Sequence, residues 1–240
     1  MPEKLFLCAG ANRSGSTWQY NIVRKLAERA YGDVYGAWIA KYDPTNPAPV
    51  HVVKIHDPRH LRKLSYDAAI TSYRDLRDVL VSARHMRWRG YDTPEEIGAF
   101  LDRYVRSLRY WDKRAVHVMR YEDMMDDPLE EAIRTAEALQ LDLRRGQVRK
   151  ICNIVAALEP PKATPTGKLA DADAETLLHP GHIGHRNPAL DKASHRFIER
   201  RYGAWLGKHE YEVENKKTTR KHPVAGSGHG LGARPAKSKH

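Results

Sequence analysis

Residues 10–18, Gly10-Ala11-Asn12-Arg13-Ser14-Gly15-Ser16-Thr17-Trp18, stand between the apolar run Leu5-Phe6-Leu7-Cys8-Ala9 and an amphipathic stretch that reaches Tyr31. A strand, a glycine-bearing turn and a helix start, in that order, build an anion cradle. Backbone N–H groups point into the turn, and the helix dipole adds partial positive charge there. The spacing Gly10-x-x-x-x-Gly15-x-Thr17 follows the Walker A phosphate loop except at one place. Where a nucleoside triphosphatase carries lysine this chain has Ser16, and the nearest cation is Arg13. The loop suits a phosphate-like group but not the β,γ-phosphates of ATP.

Outward from this stretch the pattern alternates between strand and helix. Lys4–Ala9 reads as a strand, and residues 17–31 as a helix with Trp18, Ile22 and Leu26 on one face and Val23, Ala27 and Ala30 beside them. Residues 32–49 read as a loop. Strands are expected at 50–56, stopped by Asp57-Pro58, at 68–73, and at 116–119. Arg74-Asp75 turns into a helix through Val79, Leu80, Ala83 and Met86. Thr93, Pro94 and Glu96 form the N-cap, first position and capping box of another helix. Its apolar positions Ile97, Phe100, Leu101, Tyr104, Val105, Leu108 and Trp111 keep a 3.6-residue period and read as core rather than as a binding surface. Helices are also expected from Asp127-Pro128, over 144–157 and over 189–208. Residues 158–187 read as a long loop, a length usually functional or disordered.

This alternation predicts a three-layer α/β fold with a central parallel sheet. The 240 residues suit a single domain over 1–210, followed by a basic tail over 211–240. The net charge of +11 invites a nucleic-acid reading. Its distribution argues otherwise. Residues 216–240 hold seven Lys/Arg and no acid, leaving 34 basic against 30 acidic residues in the rest. The glycine-rich tail reads as solvated and disordered, and no specific nucleic-acid partner is expected. No stretch approaches the roughly 20 apolar residues of a membrane span. Cys8 and Cys152 form no Cys-x-x-Cys pair and fall in apolar patterns, so they read as buried thiols in a reducing cytoplasm.

Four ordered segments together resemble the sulfotransferases that use 3′-phosphoadenosine-5′-phosphosulfate (PAPS), over about residues 4–208. Residues 12–18 resemble that family's 5′-phosphosulfate loop, and Lys54-Ile55-His56 its Lys-x-His strand end. Arg74 followed eight residues later by Ser82 resembles its 3′-phosphate motif. Arg120-Tyr121-Glu122-Asp123-Met124, then Asp127-Pro128, resembles its Tyr-Glu-Asp segment. The resemblance implies a sheet of the P-loop nucleoside triphosphate hydrolase type and sulfuryl transfer to a hydroxyl, or less often an amine, of a small-molecule or carbohydrate acceptor. It implies catalytic roles for His56, Lys54 and Arg13. Arg13, Ser14, Gly15, Ser16, Thr17, Trp18, Arg74, Ser82 and Tyr121 would bind the donor.

On chemical grounds His56, with an ordinary pKa near 6.5, suits proton abstraction from the acceptor. Arg13 and Lys54 suit neutralisation of charge on the bridging oxygen. The family's Arg-Lys-Gly-x-x-Gly loop survives only as His179-Pro180-Gly181-His182-Ile183-Gly184; Gly181 and His182 stand at its donor-binding positions, and His182, His185 or Arg186 would supply the contact of the lost cations. Arg13 stands where the common cytosolic version has lysine. No metal is expected. His179, His182 and His185 run through Pro180, Gly181 and Gly184, which place them on no common helix face, and zinc wants four ordered ligands. A kinase with a deviant phosphate loop, or a nucleotide- or RNA-binding protein, are the alternatives; magnesium dependence separates the first.

Overall fold

The computed structural model describes residues 2–61, 64–85, 91–158 and 190–213. Its frame is a five-stranded sheet of β1 (Lys4–Cys8), β2 (Val34–Trp38), β3 (Val50–Lys54), β4 (Ala68–Tyr73) and β5 (His117–Arg120), in the order β2-β3-β1-β4-β5. Every pairing is parallel, with Leu7 opposite both Val53 and Ala69 at the centre. The short apolar strands alternate their side chains between two buried faces, as a sheet covered on both sides requires.

Phe6, Cys8, Val52 and Ile70 point to the face covered by α1 (Ser16–Tyr31), α5 (Pro128–Ala138) and α6 (Arg145–Ala156), against Ile22, Leu26, Ala132 and Ile151. Leu5, Leu7, Val53 and Ile55 point the other way, where Trp111 of α3 (Pro94–Trp111) meets them. On that side α2 (Leu76–His85), α3 and α7 (Lys192–Lys208) share a second cluster through Leu80, Leu101, Ile198 and Trp205. The result is the expected three-layer α/β fold.

The capping box of α3 forms in full: Thr93 accepts from the Glu96 N–H, and the Glu96 carboxylate accepts from the Thr93 N–H. Three expectations change. The stretch 32–49, read as loop, contains edge strand β2. Gly36 sits in its middle because a Cβ there would overlap the Tyr20 hydroxyl. Tyr121–Asp126 forms a short helix, α4, directly after β5. The core also passes the expected boundary at 210, since Tyr211 is buried and Val213 packs on the same cluster. α7 starts at Lys192, capped by Asp191 accepting from the Ser194 N–H. Met86, residues 159–189, including the expected 179–184 loop, and residues 214–240 lie outside the described residues.

A buried ion cluster ties the start of α2 to α7 and the segment that follows it. The Arg77 guanidinium donates to both oxygens of Asp75, to Glu199 Oε1 on α7, and to the Glu212 carbonyl.

Gly10, where β1 gives way to the turn, has no room for a side chain. A Cβ would fall within 3 Å of Ser72 Oγ, Gln19 Oε1 and Ser16 Cβ, all three residues being buried. Gly10→Ala is therefore expected to destabilise the fold by about 1–3 kcal/mol, the cost of overpacking a closed site. A chemical-denaturation midpoint equal to the wild-type value would contradict this.

Candidate active site

In open parallel sheets ligands bind beyond the carboxyl ends of the strands, at the point where the chain reverses direction across the sheet. Here that point is β1, flanked by β3 on one side and β4 on the other. Arg13 follows β1, Lys54 ends β3, His56 stands two residues further, Arg74 follows β4 and Tyr121 follows β5.

The turn after β1 is shaped by its own polar groups. The Ser14 hydroxyl donates to the Ala11 carbonyl at 2.6 Å and shares a hydrogen bond with Ser72 Oγ at 2.8 Å, and the Ser14 N–H also serves Ala11. Ser14 thus faces the inside of the turn rather than the cleft. Arg13 and Gly15 take positive φ, 65° and 76°, which swings the chain into α1. Gly15, the helix N-cap, offers no side-chain cap, and the first turn holds no acid. The N–H groups of the first turn lack intrahelical acceptors, as at any helix start. Such an uncapped start beside cations fits an anionic phosphate or phosphosulfate.

The cations are close at hand. Lys54 Nζ donates to Thr17 Oγ1 at 2.7 Å, and Arg13 Nε donates to Ser82 Oγ at 2.9 Å. The 10–18 loop is in this way joined to both the β3 end and α2. The Arg74 guanidinium lies 3.9 Å from the centre of the Tyr121 ring and faces Asp78, while the Arg74 backbone N–H donates to the Tyr104 hydroxyl. Arg74, Ser82 and Tyr121 are all buried. Trp18, expected at the cofactor, is buried in the core cluster under α1.

Electrostatics in the cleft are uniformly unfavourable to added protons. Burial, with Arg13 nearby, lowers the Lys54 ammonium to about 8. Burial, then the charge on Arg74, lowers the Arg13 guanidinium. Burial, then the charge on Lys54, pulls the His56 imidazole down to about 3. The sequence gives His56 an ordinary value near 6.5; the difference comes from withdrawal from water beside two cations. His56 is consequently neutral at physiological pH.

Its tautomer is also fixed. The Gly10 carbonyl, 2.6 Å away, can only accept, so Nδ1 carries the proton and Nε2 presents a lone pair. Trp38, at the end of the unexpected strand β2, packs edge-on to the ring at 4.9 Å. Ser107 on α3 donates to the His56 carbonyl at 2.8 Å.

His56 forms one wall of a cavity of about 230 Å³, bounded by Ala11, Asn12, Tyr91, Phe100 and Tyr104, with Arg103 and Arg106 also lining it. Phe100 and Tyr104 are core residues, as their spacing implied, and they line this cavity as well. Trp38, Ser107 and Arg103 were not legible as site residues. Trp38 lies on a strand interrupted by glycine, and the other two are polar positions of a helix whose apolar period accounts for its fold. Among the described residues no three His, Cys, Asp or Glu side chains converge on a point that could hold a metal ion, and no helix is long and apolar enough to cross a membrane.

No curated protein matches this chain in sequence. Solved structures that share its fold include mouse sulfotransferase SULT7A1 complexed with PAP, at 14% identity and a TM-score of 0.60, with 86% of each chain covered. Retinol dehydratase in a complex with retinol and PAP aligns at 17% identity and a TM-score of 0.54, covering 90% of this chain and 83% of that one. A complex of retinol dehydratase with androsterone and inactive cofactor PAP aligns over the same shares at 16% identity and the same TM-score. The sulfotransferase domain family matches residues 2–210 of the 240, and this protein belongs to that family.

Proposed function

We propose that this protein transfers a sulfuryl group from PAPS to an acceptor hydroxyl, or less often an amine, leaving 3′,5′-bisphosphoadenosine (PAP). The observation that carries the reading is the convergence of Arg13, Lys54 and a neutral, tautomer-fixed His56 on an uncapped helix start. The PAP bound in the related sulfotransferase and retinol dehydratase structures supports the same donor.

In the reaction the acceptor oxygen attacks sulfur, and a new O–S bond forms as the bond from sulfur to the bridging oxygen of the 5′-phosphosulfate breaks. The bonding electrons leave with PAP, and the acceptor's proton passes to His56 Nε2, whose basicity, held down by burial and then by Lys54 and Arg13, the donor's negative charge raises. Such displacements spread charge over equatorial oxygens, so positioning and electrostatic stabilisation supply most of the acceleration. The N–H groups of the first turn of α1, with the Ser16 and Thr17 hydroxyls, hold the 5′-phosphate. Lys54 and Arg13 neutralise the bridging oxygen as it departs. Lys54, already close to deprotonation, is the better proton source of the two, because a guanidinium gives up its proton far less readily.

Arg74 and Ser82 hold the 3′-phosphate and Tyr121 the adenine end, while Trp18, buried in the core cluster, is given no contact with the donor. Gly181 and His182, outside the described residues, are proposed to cover the donor.

Thermal unfolding tests the donor assignment, because only a ligand held by the native state raises apparent stability. PAP is expected to raise the midpoint strongly and ATP weakly. Arg74→Ala should diminish the PAP shift far more than the 5′-AMP shift. Equal losses for both ligands would mean that Arg74 does not read the 3′-phosphate, and the absence of a PAP shift in the wild-type protein would remove the donor itself.

A further inference from the structure

The cavity beside His56 has a built polarity that the donor does not account for. Helix α3 turns Phe100, Arg103, Tyr104 and Ser107 toward it, the spacing of one helical face. Ser107 anchors this face to the His56 carbonyl, so the position of the helix relative to the base is fixed. The middle of the cavity is aromatic: the Tyr91 and Phe100 rings meet at 4.5 Å, and Tyr104 is buried beside them. Arg103 lies one turn before Ser107, about 6 Å along the axis, and Arg106 flanks it.

The charges at this end are not balanced. The acidic wall residue Asp57 is held by Arg59, which contacts both of its oxygens. The Arg103 and Arg106 side chains make no hydrogen bond or ion pair with another described residue; the nearest acid on the helix, Asp102, feels the Arg106 charge but is held by Arg201 and Tyr202. A cavity of about 230 Å³ is smaller than the roughly 300–1,000 Å³ of sites for drug-sized ligands.

Resting on the donor reading above, we infer that the acceptor is a small, single-ring hydroxyl compound that carries an anionic group, a carboxylate or its like, on the side of the ring away from the reacting oxygen. The hydroxyl meets His56 Nε2, the ring lies among Tyr91, Phe100 and Tyr104, and the anion pairs with Arg103 and Arg106. A planar guanidinium matches a carboxylate with two parallel hydrogen bonds, and a neutral amide of the same shape forfeits the ionic part of that interaction.

The test uses the PAP-loaded full chain and two matched probes, 4-hydroxyphenylacetate and 4-hydroxyphenylacetamide. Calorimetric titration is expected to show the carboxylate binding about tenfold or more tightly. The preference should shrink as salt rises, since both arginines are exposed. In Arg103→Ala/Arg106→Ala the ratio is expected to fall close to one, with PAP binding retained as the check on folding. Equal binding of the two probes by the wild-type protein, a preference that survives the double substitution, or no binding of either probe to the PAP-loaded protein would each overturn the inference while leaving the donor assignment standing. Failure of PAP itself to bind would instead overturn the donor assignment, and this inference with it.

Discussion

His56→Ala is expected to lower kcat by about 10²–10⁴-fold, the range lost with a positioned general base, while PAP still stabilises the protein as it does the wild type. The separation follows from placement. The imidazole spends its Nδ1 proton on the Gly10 carbonyl and keeps Nε2 for the cavity, whereas the groups proposed to bind the donor lie in the turn after β1, on α1, β3, α2 and α4, and at Arg74. His56→Asn provides the control, since its amide can still donate to the Gly10 carbonyl but holds no basic nitrogen. Both variants should be equally slow. Recovery of most activity in His56→Asn would show that the ring matters for fixing the loop and not for moving a proton.

The same group has a thermodynamic signature. The unfolded chain protonates this histidine near its ordinary value, while the folded protein resists protonation until about pH 3. Between those values the unfolded state binds more protons, so acid destabilises the fold. Wild-type stability should fall from pH 7 to pH 5, and His56→Asn should fall less.

Lys54→Met is the second large effect, expected to reduce kcat by about 10²–10³-fold, as when one preorganised donor to developing charge is removed. Its pH profile distinguishes it from a merely structural change. Because burial lowers the Lys54 ammonium to about 8, the free enzyme loses that charge as pH rises through this value. The quantity kcat/KM for the donor reports groups of the free enzyme, so it should decline above about pH 8 in the wild type. Its acid limb should lie well below 6.5, because His56 is already neutral there. In Lys54→Met the alkaline decline should vanish; if it persists at the same midpoint, another group is responsible.

Where local pattern and tertiary demand agreed, the fold could be read directly. β1 and α1 were visible because an apolar run, a glycine turn and a 3.6-residue period follow one another without interruption. The α3 start was visible because Thr93, Pro94 and Glu96 determine it locally. β2 was hidden because Gly36, a poor strand residue on propensity grounds, answers to the Tyr20 hydroxyl, a contact between distant parts of the chain. Trp38, and with it one neighbour of His56, was hidden for the same reason. α4 is too short to show a period.

Of the site, Arg13, Lys54, His56 and Arg74 were legible from their positions after strands, a rule of topology. The depressed proton affinity of His56 was not, because it depends on how deeply three separate segments bury one another's charges. Arg103 and Ser107 were likewise invisible: both fall outside the apolar period of α3, and only the docking of that helix beside His56 brings them to the cavity.

The Arg77 cluster sets an order of events during synthesis. This guanidinium belongs to the segment that carries Arg74 and Ser82, yet two of its partners, Glu199 and the Glu212 carbonyl, emerge from the ribosome more than a hundred residues later. Until then the nascent chain holds a cation paired with Asp75 but short of the two later acceptors that complete its enclosure in the fold. The start of α2 is therefore expected to close fully only once α7 and Glu212 have been made, and a chain ending before Glu212 is expected to unfold at a lower denaturant midpoint than the full one.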